Sequence, residues 1–254
     1  MNKKEKTVAL LQSIETGNPE PFSYLNPQKY IQHNLSIPDG IAGISGVVQN
    51  KPPQGFKVRV VRAFEDGDYT FAHTEYDFFG PKVGFDVFRF EEGLIVEHWD
   101  NLINLQPPNQ SGRSQTDGET IVADLDQTQV NKQIVIDFIT DNWINNKNTY
   151  TEYIADNVYL QHNPRGKDGL DSFLSTLEYF AQNKIEMYFT KIHKVLGEGN
   201  FVLSMSEGMF GENGGEITSF YDLFRLENGR IVEHWDVIEP ILRRAQWQNT
   251  NGKF

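Results

Sequence analysis

The sequence predicts an α+β chain of two tandem domains, each with N-terminal helices packed on one face of an antiparallel sheet. Three observations carry this expectation. The hexapeptide IVEHWD occurs at Ile95–Asp100 and again at Ile231–Asp236, inside longer matching stretches: DVFRFEEGLIVEHWDNL from Asp86 and DLFRLENGRIVEHWDVI from Asp222. Within each copy, apolar residues at helical spacing come first and alternating patterns follow. Between the copies lies QPPNQSGRSQTDGET, residues 106–120, rich in the residues of turns and linkers.

The elements follow in the same order in both halves. MNKKEKTVALLQSIETG has a basic start but an apolar run of only VALL, so it reads as an amphipathic helix and not as a secretory leader, whose apolar core needs roughly 7–15 residues. YIQHNLSIPDGIAGI at Tyr30–Ile44 matches YLQHNPRGKDGLDSF at Tyr159–Phe173, an offset of 159 − 30 = 129 residues. The hairpins are offset by 222 − 86 = 136, so small insertions fall in loops. In the second copy Val130, Ile134, Ile136, Phe138 and Ile139 have helical spacing, as do Leu170, Phe173, Leu174, Leu177 and Phe180. Strands follow: FKVRVVRAF and YTFAHTEYDFF in the first copy, MYFTKIHKVL and FVLSMSEGMF in the second. GDYTFAHTE from Gly67 aligns with GNFVLSMSE from Gly199. The boundaries expected are a first domain over 1–108, a linker over 109–120 and a second domain over 121–254.

Composition narrows the function classes. A hydrophobic fraction of 38% with 18 Phe and 10 Tyr suits strands and lined cavities. A net charge of −12 with no Lys/Arg run argues against nucleic acid and anionic membranes as partners. No stretch approaches the ~18 apolar residues of a membrane span, and a cytoplasmic location is expected. The absence of cysteine removes disulfides, thiolate metal sites and cysteine nucleophiles.

The candidate chemistry lies in the duplicated hairpin. A three-residue loop, EEG or ENG, suits a type I turn with a glycine bulge and would place residue 86 opposite 98. Asp86, Phe88, Phe90, Leu94, Val96, His98 and Asp100 would then share one strand face, and Asp222, Phe224, Leu226, Val232, His234 and Asp236 would repeat it. A two-residue turn at Glu92–Gly93 would send His98 to the other side; the first register is taken here. A carboxylate beside an imidazole in an apolar hollow is an acid–base pair, because burial raises the acid and a neighbouring charge adjusts it. His73 shares a strand face with Tyr69, Phe71 and Glu75, and the second copy has Met205 at its place. Candidate catalytic residues are therefore Asp86, His98, Asp100 and His73. Candidate ligand contacts are His33, Asn34, Phe88 and Trp99, with His162, Asn163, Asp222, His234 and Asp236 in the second copy. The structural alternatives are a hydrogen-bonded core histidine, a packed tryptophan with Glu and Asp paired to Arg89, and QHN as a turn brace. No histidine set has recognised metal spacing, and phosphate-loop and nucleophile-elbow motifs are absent.

QHN…DG, a strand ending in His, and D-x-F-R-x-x-x-G-x-I-V-E-H-W-D together resemble the SnoaL-like branch of the NTF2-like superfamily, over both halves of the chain. The resemblance implies two cone-shaped α+β barrels, each a curved antiparallel sheet around helices with a pocket in the cone. Relatives include polyketide cyclases, ketosteroid isomerase, dehydratases, epoxide hydrolases and binding domains without catalysis. In cyclase-like members a pocket Asp and His move protons without metal or cofactor, a role that would fall to Asp86, His98 and Asp100, assisted by His73 and His33. In the second copy the matching residues are Asp222, His234, Asp236 and His162. Single-domain members pair through their sheets, so a tandem would form an internal pseudo-dimer, with a homodimer of chains left open. Three functions stand as alternatives: a cofactor-independent isomerase or cyclase acting on a small apolar carbonyl compound, a module that binds a hydrophobic small molecule, or an assembly module with vestigial pockets.

Overall fold

A computed structural model describes every residue except Lys51 and Asn157. The chain divides into two units, the first comprising Met1–Leu105 with Leu242–Phe254 and the second Gln106–Ile241. The stretch with linker composition thus belongs to the second unit, and the C-terminal segment to the first. The reason is that their polar side chains satisfy backbone groups of the unit they join. Asn109 Nδ2 donates to the Gln161 carbonyl at 2.6 Å, and Arg113 pairs with Asp168 at 2.8 Å. In the first unit Asn249 Nδ2 donates to the carbonyls of Asn34 and Ile37, at 2.8 and 2.9 Å.

The first unit opens with α1 (Lys3–Thr16). The Asn2 side chain accepts from the Glu5 amide, and the Glu5 carboxylate accepts from the Asn2 amide, which satisfies two free donors of the first turn. Gly17, at φ 72°, ends the helix in the left-handed region. Thr7, Leu10, Leu11 and Ile14 form its buried stripe. After β1 (Ile31–Gln32) and α2 (Gly40–Gln49) come four long strands: β2 (Lys57–Asp66), β3 (Tyr69–Asp77), β4 (Pro81–Glu91) and β5 (Leu94–Asn104). The sheet order is β1-β5-β4-β3-β2, with β1 parallel to β5 and the remaining neighbours antiparallel. Leu10, Leu11 and Ile14 pack with Ile44, Ala72, Phe88, Phe90 and Ile95 between helices and sheet. Burying each such side chain contributes about 1.5–3 kcal/mol.

The second unit repeats this plan. Its helices are α3 (Thr128–Ile139), α4 (Tyr150–Tyr153) and α5 (Leu170–Gln182). Its strands are β6 (Leu160–Gln161), β7 (Ile185–Glu198), β8 (Phe201–Glu212), β9 (Glu216–Glu227) and β10 (Arg230–Pro240), ordered β6-β10-β9-β8-β7. Val135, Phe138 and Ile139 from α3 are buried with Phe220, Phe224 and Leu226 from β9. Two five-stranded sheets with helices bear out the α+β expectation and are consistent with two tandem domains. No helix among the described residues is long and apolar enough to cross a membrane.

The hairpin register corrects the sequence expectation. Glu91 pairs with Leu94, so the turn is the two-residue Glu92–Gly93, with φ 49° and 78°. Positive φ at both centres is the type I′ geometry, which matches strand twist. Beyond it Phe90 pairs with Ile95 and Arg89 with Glu97, leaving Val96 as a bulge. That one extra residue reverses the alternation. Phe88 therefore faces His98, and Asp86 faces Asp100 rather than His98. His98 and Asp100 share the Asp86 face as expected, while Ile95 takes the place assigned to Leu94 and Val96. Asn228–Gly229 and a bulge at Val232 repeat the device, placing Asp222 opposite Asp236 and Phe224 opposite His234.

Candidate active site

Each residue of the QHN motif holds one residue of the EHWD strand. Because β1 runs parallel to β5 with Gln32 beside His98, Gln32 Oε1 lies 3.1 Å from His98 Nδ1. The same oxygen accepts the Asn34 amide at 2.9 Å, and Gln32 Nε2 donates to the Tyr30 hydroxyl at 3.3 Å. The Gln32 amide is therefore fixed with its oxygen toward His98, and His98 Nδ1 must carry a proton to donate to it. Nε2 then faces Asp86 Oδ1 at 3.1 Å, and one proton is shared across that contact. The Tyr76 hydroxyl donates to Asp86 Oδ2 at 2.5 Å. Asn34 Nδ2 donates to Asp100 Oδ2 at 2.8 Å.

Asp86 is 5% exposed. Burial raises its carboxyl above the usual range, against the His98 hydrogen bond and charge, while Asp100 adds to the rise. Burial, then the Asp86 charge and hydrogen bond, push the Tyr76 hydroxyl well up, so it remains a donor. These groups line a cavity of about 60 Å³ whose other walls include Leu10, Leu11, Ile44, Val47 and Phe88. Asp100 Oδ1 is buried with no hydrogen-bond partner among the described residues.

The structure brings Asp86, Phe88, His98, Asp100 and Asn34 to this face, and places His73, His33 and Trp99 elsewhere. His73 pairs with Phe85, stacks on it at 4.3 Å and meets Arg62 at 2.9 Å, on the opposite side of the sheet from Asp86. His33 stacks on Trp99 at 4.8 Å, and its ring nitrogens face the Gly252 carbonyl and Glu97 Oε1, both at 2.9 Å. Glu97 also accepts from Arg89 Nε at 2.7 Å. Although burial opposes it, the His33 and Arg89 hydrogen bonds hold the Glu97 carboxyl below its ordinary range.

The second unit assembles Asp222, His234, Asp236 and Asn163 in the same way. His234 Nδ1 lies 3.1 Å from Gln161 Oε1, Nε2 lies 3.1 Å from Asp222 Oδ1, and Asn163 Nδ2 donates to Asp236 at 2.8 Å. His162 instead faces Glu233 at 2.9 Å and stacks on Trp235 at 4.7 Å. Burial alone would lower His234, but the Asp222 hydrogen bond and the Asp236 and Asp222 charges raise it. Burial raises Asp236. In each unit the Asp–His–Asp set has ligand-capable atoms within 4.8 Å of one another, close enough to share one cation.

Sequence reasoning missed Gln32, Gln161 and Tyr76. The two glutamines stood in the repeated QHN. Tyr76 had no such signal, because the pairings Ala72–Asp86 and Ser204–Asp222 put Gly208 at its place in the second copy.

Fold and site together define two α+β units, each with an Asp–His–Asp set on one sheet face. Residues 143–234 match the SnoaL-like domain family. A Mycobacterium tuberculosis LEH-like epoxide hydrolase is 19% identical, with coverage of 44% of this chain and 85% of that one and a TM-score of 0.36. A Bacillus cereus protein provisionally described as a polyketide cyclase is 18% identical, covering 38% and 71%, TM-score 0.34. An NTF2-like protein of unknown function from Burkholderia pseudomallei is 20% identical, covering 42% and 88%, TM-score 0.37. No curated protein matches the chain.

Proposed function

We propose that the first unit is a cofactor-independent acid–base enzyme that moves protons on a small, largely apolar carbonyl compound, as an isomerase or cyclase does. The observation that carries this reading is the Asp100 carboxylate. One of its oxygens is held by Asn34 and the other is buried without a donor among the described residues, beside a chain of donors and at the edge of an apolar cavity. A base so placed takes a proton from the carbon next to a carbonyl. The Tyr76–Asp86–His98 chain holds a proton at each end of the Asp86 carboxyl and supplies one to the carbonyl oxygen as charge develops there. The proton on Asp100 then returns to carbon at another position while the enol oxygen gives its proton back to the chain, which restores the carbonyl and both enzyme groups. Positioned proton transfer of this kind contributes typically about 10²–10⁴ in rate.

The test is deuterium uptake from heavy water into cyclic ketones and β-dicarbonyl compounds, followed by proton NMR. Enzyme-dependent label at the carbon next to the carbonyl supports the reading. Thermal stabilisation by these compounds with no label in any of them would replace it with ligand binding alone.

A further inference from the structure

The second unit repeats the triad with one donor removed. In the first unit the Tyr76 hydroxyl caps Asp86 Oδ2. At the matching place stands Gly208, where even a Cβ would lie 2.1 Å from the Tyr188 carbonyl oxygen, so no side chain from that position can replace the donor. Asp222, 5% exposed, consequently has a buried Oδ2 with no partner among the described residues. Beside it, Ser204 pairs directly with Asp222 across β8 and β9, and Ser206 lies two residues further along the same face. Both serines are fully buried, and neither hydroxyl has a partner among the described residues. The first copy has Ala72 and Thr74 at these places.

The remaining geometry is that of a prepared ligand set. The Gln161 oxygen fixes the proton on His234 Nδ1, because Gln161 Oε1 also accepts the Asn163 amide at 2.9 Å and its Nε2 donates to Tyr159 at 3.1 Å. Nε2 is thereby presented to two carboxylates. Asn163 orients Asp236 through hydrogen bonds of 2.9 and 2.8 Å. A histidine whose other nitrogen donates to a carbonyl oxygen, with hydrogen-bonded carboxylates alongside, is how metal ligands are held in place.

We propose that Asp222, His234 and Asp236 form a binding site for one divalent first-row cation, with the Ser204 and Ser206 hydroxyls beside it. One imidazole nitrogen with two carboxylates suits Zn²⁺ or Mn²⁺, whereas Ca²⁺ takes six to eight oxygens. The cation supplies the positive charge that Asp222 Oδ2 lacks. In the first unit the Tyr76 hydroxyl already occupies the corresponding oxygen, so duplication has yielded a proton site in one unit and a cation site in the other.

The test uses the full chain, stripped with chelator and dialysed against Zn²⁺ or Mn²⁺, with metal per chain by elemental analysis and melting temperature with and without metal. One equivalent per chain is expected, with a raised melting temperature, and both persist in Asp100→Asn. Asp236→Asn and His234→Gln weaken binding at least 100-fold, with folding checked by circular dichroism. Gln161→Leu, which touches no metal, weakens it about 10–100-fold. No retained ion, an ion retained by both ligand variants, or equal loss in Asp100→Asn would overturn the proposal. None of these outcomes depends on proton exchange in the first unit.

Discussion

Replacing Glu233 by Gln should cost far more stability than the same change at Glu97, although the two occupy the same place in the repeat. Glu233 Oε1 faces His162 at 2.9 Å and Oε2 faces Arg225 at 2.6 Å, with side-chain exposures of 1% for Glu233, 0% for His162 and 10% for Arg225. In the first unit the corresponding exposures are 16% for Glu97, 6% for His33 and 24% for Arg89. Removing one charge from a buried cluster strands its partners in low dielectric, a loss of about 3–5 kcal/mol. Where solvent reaches the pair, screening reduces this toward the surface value, and about 1–2 kcal/mol is expected for Glu97→Gln. The assay is urea unfolding followed by tryptophan fluorescence and circular dichroism, fitted as two transitions because the chain has two units. Equal losses, or a larger loss at Glu97, would refute the reasoning that burial sets the strength of this network.

Tyr76→Phe removes the donor to Asp86 Oδ2 and should cost about 1–3 kcal/mol, with proton exchange falling about 10²–10³-fold; stability and label uptake measured on one preparation check both. His234 is raised in the folded chain, so its contribution is fully present below its ordinary value near ~6.5 and is lost as pH rises through the folded value. In the chelator-stripped chain, unfolding free energy should therefore decline above about pH 6.5, by no more than about 1.4 kcal/mol per pH unit for this proton, and His234→Gln should flatten that decline in urea titrations. Gly208→Ala drives a methyl into the Tyr188 carbonyl and should cost about 1–3 kcal/mol, read as a lowered melting temperature. Truncation after Ile241 removes the Asn249 and Asn251 hydrogen bonds to Asn34, Gln32 and Asp39 and the Lys253 hydrogen bond to the Asp100 carbonyl. Label uptake should drop at least tenfold in that variant.

The duplication, the α+β order and the grouping of Asp86, His98 and Asp100 could be read from residue types and period alone. The register could not, because the bulge falls at Val96 and Val232, and valine carries no glycine signal for it. The face assignment was right only because the two-residue turn and the bulge each shift alternation by one. His73 was misplaced because a strand's period assigns residues to two faces without saying which one meets the helices. His33 and Asn34 looked like ligand contacts, whereas Asn34 holds Asp100, His33 pairs with Glu97 on the far side and the unremarked Gln32 holds His98. The segments 106–120 and 242–254 have the composition of loops, and nothing local reveals that Asn109 and Asn249 anchor them to the units they join.

The most direct test of the central claim compares label uptake by Asp100→Asn and Asp236→Asn, using the ketone that exchanges fastest with the wild type. The account predicts at least a 1,000-fold loss in Asp100→Asn, set by removal of the base, and a rate within about threefold of wild type in Asp236→Asn. Wild-type exchange in Asp100→Asn, or loss confined to Asp236→Asn, would contradict the assignment of the chemistry to the first unit.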